Sequence, residues 1–169
     1  MAILSVLQYP DPLLRRKAKP VVDINDEIKA IVADMYETME VEHGVGLAAT
    51  QVGITWRIFV MDVSNTRDQR ICAINPEILS REGTQQDEEG CLSVGHGLGV
   101  YDKVQRAAKV RLRALDLDGN VFELDADKLM AACIQHEVDH LNGILFIDHL
   151  SRLKQERIRK KIEKHHNRL

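Results

Sequence analysis

His136-Glu137-Val138-Asp139-His140 sets two imidazoles one helical turn apart, with a carboxylate beside the first. On a helix Glu137 lies about 100° round from His136 and about 60° from His140, so one face carries all three. Such a face can hold a metal and supply a general base at once. A third ligand must come from elsewhere in the chain. Glu89-Gly90-Cys91-Leu92-Ser93 offers a cysteine in a glycine-bearing turn. Two imidazoles and one thiolate leave the fourth tetrahedral position open to water, which is the composition of a hydrolytic metal site. A bare His-x-x-x-His pair more often lies by coincidence on the solvated face of a helix. Here Leu129, Ala132 and Cys133 extend the same face as apolar, which turns the histidines inward, where buried imidazoles need partners.

The other thiols fit less well. Cys133 precedes His140 by seven residues, about 10.5 Å along a helix axis at 1.5 Å per residue. Metal bonds of roughly 2.0–2.3 Å cannot span that distance. Cys133 is expected in the wall of a pocket and Cys72, in an apolar strand, in the core. His43 and His96 stay open as ligands, with Cys91 the better candidate. The rival chemistry is that of an HExxH zinc peptidase. From His136 the chain reads HExxHxxGxxF, and Phe146 stands where one class of those enzymes has a third histidine. Another class takes a glutamate from a later helix, which leaves Glu156 or Glu163. A third reading is a non-enzymatic module with a structural metal.

The elements that must position these groups read as follows. Residues 24–40 place Ile24, Ile28, Ile31, Val32, Met35 and Met39 at helical spacing, with Asp23 or Asn25 as cap. Residues 58–63 and 71–74 read as strands. Residues 109–117 alternate, and Asp118-Gly119 turns them into a second strand at 121–124, a hairpin. Asp125 is expected to cap the helix that carries the two histidines and ends at Asn142-Gly143. A last helix starts near Ser151, with Ile158, Ile162 and Leu169 as a thin apolar stripe. The class predicted is α+β: short antiparallel strands around a central helix, plus a C-terminal helix.

A length of 169 residues suits one domain with its own core. Apolar content of 44% against 29% charged argues for a globular protein over a disordered one. Ile3 to Leu7 lacks the basic lead of a signal peptide, and no run nears the ~18 apolar residues that span a bilayer. Three cysteines, an odd number, favour a reducing cytosol with buried or metal-binding thiols. The net charge of −3 hides an asymmetry: residues 151–169 carry eight Lys or Arg against two Glu, +6, which leaves −9 elsewhere. The acidic body argues against general nucleic-acid binding, whereas the tail could seek a polyanion.

Gly44-Val45-Gly46-Leu47-Ala48-Ala49-Thr50-Gln51, then Glu89-Gly90-Cys91-Leu92-Ser93, then the HEVDH stretch resemble, in order, the three motifs of the peptide deformylase family. Tyr9-Pro10-Asp11, Leu14-Arg15 and Ala18-Lys19-Pro20 resemble its N-terminal segment, so the likeness covers nearly the whole chain. The resemblance implies a deformylase catalytic domain over 1–148 and a basic helix over 149–169 that extends it. It implies that Cys91, His136 and His140 bind one divalent ion, Fe2+ in the cell, with Zn2+, Ni2+ or Co2+ able to replace it. Glu137 would be the catalytic acid and base, with the Gln51 amide and the Leu92 backbone N–H as oxyanion donors. Backbone groups of Val45, Gly46 and Gly90 would pair with N-formylmethionyl peptides. Val45, Cys133, Ile134 and the His136 ring would form the methionine pocket. A monomeric cytoplasmic enzyme is expected, docked on the ribosome near the nascent-chain exit through the basic helix, with no membrane partner. One segment departs from the pattern. Relatives reach the Val-x-Arg element sooner, and here Ser93 is followed by Val94-Gly95-His96-Gly97-Leu98-Gly99. Arg106 is expected to form a structural ion pair, with Glu89 as the partner.

Overall fold

The computed structural model describes residues 2–168; Leu169 of the apolar stripe lies outside them. Strand β2 (Ile58–Met61) is a continuous apolar run because both of its faces are covered. Phe59 and Met61 point to one cluster with Ala131, Ile134, Val138 and Leu141 of helix α2 (Lys128–Leu141). Ile58 and Val60 point to another with Val32, Met35 and Met39 of helix α1 (Asp26–Val41). The period-two alternation of one strand therefore seats a helix on each side of the sheet.

That sheet is antiparallel and five-stranded. Its order is β1 (Gly46–Ala48), β2, β3 (Ile71–Glu82), β6 (Lys109–Leu115), β7 (Val121–Asp127). Between β3 and β6 the chain forms a separate two-stranded ribbon, β4 (Gln85–Glu89) and β5 (Asp102–Arg106). Helix α3 (Arg152–His166) buries Ile158 and Ile162 in a third cluster with Val94, Val100, Leu145 and Phe146. No helix among the described residues is long and apolar enough to cross a membrane.

The architecture is α+β with a central helix bearing the histidines and a terminal helix, as expected. The details differ from expectation in several places. β3 runs eight residues past the expected end at Ile74, through Asn75-Pro76. Asn75 takes a left-handed φ of 52°, and its side chain both accepts from and donates to the backbone of Val21. The side chain at the bulge thus ties β3 to the segment that precedes α1. The cap of α2 is Asp127, not Asp125, because β7 stays paired to β6 as far as Lys109↔Asp127. Leu129, expected on the buried face, is half exposed.

Candidate metal centre

α2 presents His136 and His140 toward the turn that follows β4, where Cys91 bridges to Val94. His140 Nε2 lies 3.2 Å from His136 Nε2 and 3.3 Å from Cys91 Sγ. Metal bonds of about 2.0–2.3 Å at tetrahedral angles put donor atoms roughly 3.3–3.6 Å apart, so the three side chains fit a single divalent ion. Both histidines are buried, and among the described residues no other trio of His, Cys, Asp or Glu converges in this way. Cys133, His43 and His96 are not in the cluster. Glu156 and Glu163 are bound to Arg159 on α3, so neither completes a peptidase site.

A second ring of charge sets the ligand geometry. Glu89 Oε1 sits 2.9 Å from His136 Nδ1, which leaves Nε2 as the ring nitrogen facing the cluster. Both Glu89 oxygens accept from Arg106 at 2.9 Å, as expected for this pair. Arg106 also donates to Asp139 Oδ2 at 2.6 Å, and that oxygen lies 2.9 Å from His149 Nε2. Burial alone would raise the Glu89 carboxyl, but the hydrogen bonds from His136 and Arg106 bring it down to about 2. Glu89 is therefore an anion at any physiological pH. Asp139 fills an unspecified position of the HExxH pattern, which gives it no signal in the sequence; its spacing of three from His136 puts it on the side toward Arg106.

Glu137 has one carboxylate oxygen, Oε1, buried with no hydrogen-bond partner. Burial pushes its carboxyl up to about 7, where a group can both take and give a proton near neutral pH. Gln51 follows the short strand β1 in a single 3-10 turn. Its Oε1 accepts from the Ala48 N–H at 2.9 Å, so its NH2 must face the site. There Nε2 donates to Ser93 Oγ at 3.0 Å and approaches Cys91 Sγ at 3.6 Å. The glycines have steric reasons. A Cβ on Gly46 would lie 2.6 Å from Glu137 Oε2 and 2.8 Å from Cys133 Sγ, and one on Gly90 2.5 Å from the Tyr101 ring.

These groups surround a cavity of about 290 Å³ that Val45, Gly46, Gly90, Leu92, Cys133 and His136 all help to line. Ile134 does not line it; the side chain is fully buried against the sheet. Leu129, Ala132 and Tyr101 line it instead, and none of the three is among the residues expected to form the pocket. The Val45 carbonyl is taken by the Asp62 N–H at 2.8 Å, so Val45 offers the cavity its half-exposed side chain. β1 is an edge strand, and its alternation turns the Gly46 N–H and C=O away from β2 toward the cavity side. Across the mouth, His96 Nε2 of the glycine-rich loop stands 3.4 Å from Glu42 Oε2 at the end of α1.

Comparison with known proteins gives a consistent picture. The sequence model of the polypeptide deformylase family matches residues 3–156. A peptide deformylase from Legionella pneumophila superposes with a TM-score of 0.93 at 44% identity, over 98% of this chain and 96% of that one. One from Ehrlichia chaffeensis, in complex with actinonin, gives 0.92 at 36% identity, over 98% of each chain. One from Synechococcus elongatus, also in complex with actinonin, gives 0.87 at 38% identity, over 96% of this chain and 87% of that one.

Proposed function

The chain belongs to the polypeptide deformylase family, and we propose that Cys91, His136 and His140 hold its ion while Glu137 moves the protons of the reaction. It is a metal-dependent hydrolase that removes the N-terminal formyl group from formylmethionyl peptides. The observation that carries the residue roles is the unpartnered, buried Glu137 carboxylate beside the converging ligand trio.

When bound, the ion supplies a Lewis acid that acidifies water and polarises the formyl oxygen. Glu137 accepts the proton of the attacking water and returns it to the amine as the C–N bond breaks, giving formate and a free N-terminus. The Gln51 NH2 and the Leu92 N–H donate to the negative charge that develops on the formyl oxygen. Gly46 and Gly90 pair with the peptide backbone as an added strand, which recognises no side chain and suits many nascent sequences. Val45, Leu129, Ala132 and Cys133 receive the methionine, with the His136 ring. Formate release from formyl-Met-Ala-Ser, with no cleavage of the unblocked peptide, is the expected result; cleavage of the unblocked peptide would favour a peptidase.

We propose Fe2+ as the ion in the cell, with Zn2+, Ni2+ or Co2+ able to take its place, since a His2Cys set accepts any of these. Metal analysis of anaerobically purified protein tests this. The enzyme acts as a monomer in the cytoplasm, a catalytic domain over 1–148 extended by the basic helix of 149–169. Docking of that segment on ribosomal RNA is supported by exposed Arg152, Arg157, Lys160, Lys161 and Lys164 on α3 and Arg168 just beyond it. Because Ile158 and Ile162 belong to the core, the test is charge removal and not truncation. Gln at 157, 160 and 164 should reduce ribosome co-sedimentation at low salt and spare turnover of a short formyl peptide. Unchanged co-sedimentation would contradict the docking.

A further inference from the structure

The segment between β2 and β3 holds the strand on which the peptide is proposed to dock. Glu42 is the C-cap of α1, and His43 takes a left-handed φ of 57°. The His43 N–H donates to the Glu40 carbonyl at 3.2 Å and the Gly44 N–H to that of Met39 at 2.9 Å, the paired bonds of a Schellman stop. The Val45 carbonyl accepts from the Asp62 N–H. The Gly44 carbonyl, one peptide before the free edge of β1, is held by Arg67 instead. Its Nη2 donates to that oxygen at 2.7 Å and to Glu40 Oε1 at 3.1 Å, while Nη1 donates to the Asp62 carbonyl at 2.7 Å. Arg67 itself has a left-handed φ of 58°, uncommon for a residue with a side chain. The turn is braced by the Asp62 side chain, which accepts from the Ser64 N–H at 3.0 Å and from its hydroxyl at 2.6 Å. One guanidinium thus joins the end of α1, the end of β2 and the start of β1. None of its contacts reaches the ligand cluster.

We propose that Arg67 is a positioning residue for the part of the substrate beyond formylmethionine: by fixing the Gly44 carbonyl it sets the register and height of the β1 edge at Gly46. This rests on the reading that Gly46 pairs with the peptide backbone. A guanidinium meets three acceptors in fixed directions, which a lysine ammonium cannot reproduce. The role therefore belongs to binding of the extended chain and not to the reacting formyl group.

The test compares kcat/KM for formyl-Met-amide and formyl-Met-Ala-Ser in the metal-loaded full chain, with metal content and thermal unfolding measured in parallel. Wild type should gain from the longer peptide. Arg67→Met should lose that gain, roughly tenfold on the tripeptide and through KM, the scale of one charge-assisted hydrogen bond. The shorter substrate should change less than about twofold by the same reasoning, and Arg67→Lys should recover only part of the loss. Should Arg67→Met fail to fold, Glu40→Gln loosens the same guanidinium and carries the same comparison in the same direction. A wild-type enzyme that gains nothing from the longer peptide overturns both the strand-pairing reading and this inference. A wild-type gain retained in the variant, or an equal loss on both substrates, overturns the role of Arg67 alone.

Discussion

The Glu89 carboxylate lies 2.9 Å from Nδ1 of His136, behind the ring that faces Cys91 and His140. The same carboxylate is gripped on both oxygens by Arg106, so the imidazole is oriented by an anion that cannot swing away. Glu89→Gln keeps the size but loses the charge and offers only one acceptor oxygen. Metal affinity is expected to fall roughly 10–100-fold, the usual effect of removing a partner behind a ligating histidine. Competition with a chelator at fixed pH measures it; affinity unchanged within about twofold would mean that Glu89 does not tune the ligand.

The three thiols should separate by reactivity. Burial pushes the Cys72 thiol up to about 12 and the Cys133 thiol well above its ordinary range, and a protonated buried thiol is a poor nucleophile. In the metal-loaded protein all three should resist alkylation. After chelation a single modification is expected, mapped by peptide mass to Cys91. Modification of Cys133 first would show that the ligand had been misassigned.

Gly46→Ala should damage catalysis while keeping the ion. Its new Cβ would fall within 2.6 Å of Glu137 Oε2 and 2.8 Å of Cys133 Sγ, well inside contact distance, so the carboxylate must move. A misplaced catalytic group costs on the order of 10²-fold. Steady-state kinetics beside a metal assay checks this; kcat within about twofold of wild type would mean that the strand shifts harmlessly.

Legibility of the sequence followed the strength of periodicity. α2 and the β6–β7 hairpin repeat their apolar positions over enough residues to be read directly. β4 is Gln-Gln-Asp-Glu-Glu, a solvent-facing ribbon with no apolar alternation to betray it. β1 has three residues and takes its strand character from β2. Only the family resemblance puts Ile134 in the pocket. Helical geometry argues otherwise: two residues before His136 is about 200° round the helix, toward the sheet. Leu129, Ala132 and Cys133 stand at the spacings that share the His136 face, so the apolar stripe that turned the histidines inward was itself part of the cavity wall. Arg67 could not be read from the chain, because its partners Glu40 and Gly44 meet it only through the fold.

The central claim is that Glu137 handles the protons at a site built by Cys91, His136 and His140. Formate release from formyl-Met-Ala-Ser by Glu137→Gln, with metal content determined on the same sample, tests it most directly. The account predicts full metal occupancy with turnover reduced by roughly 10²–10⁴-fold, because the amide matches the carboxylate in size and cannot accept a proton. A variant that keeps its metal and more than about a tenth of wild-type turnover would contradict it.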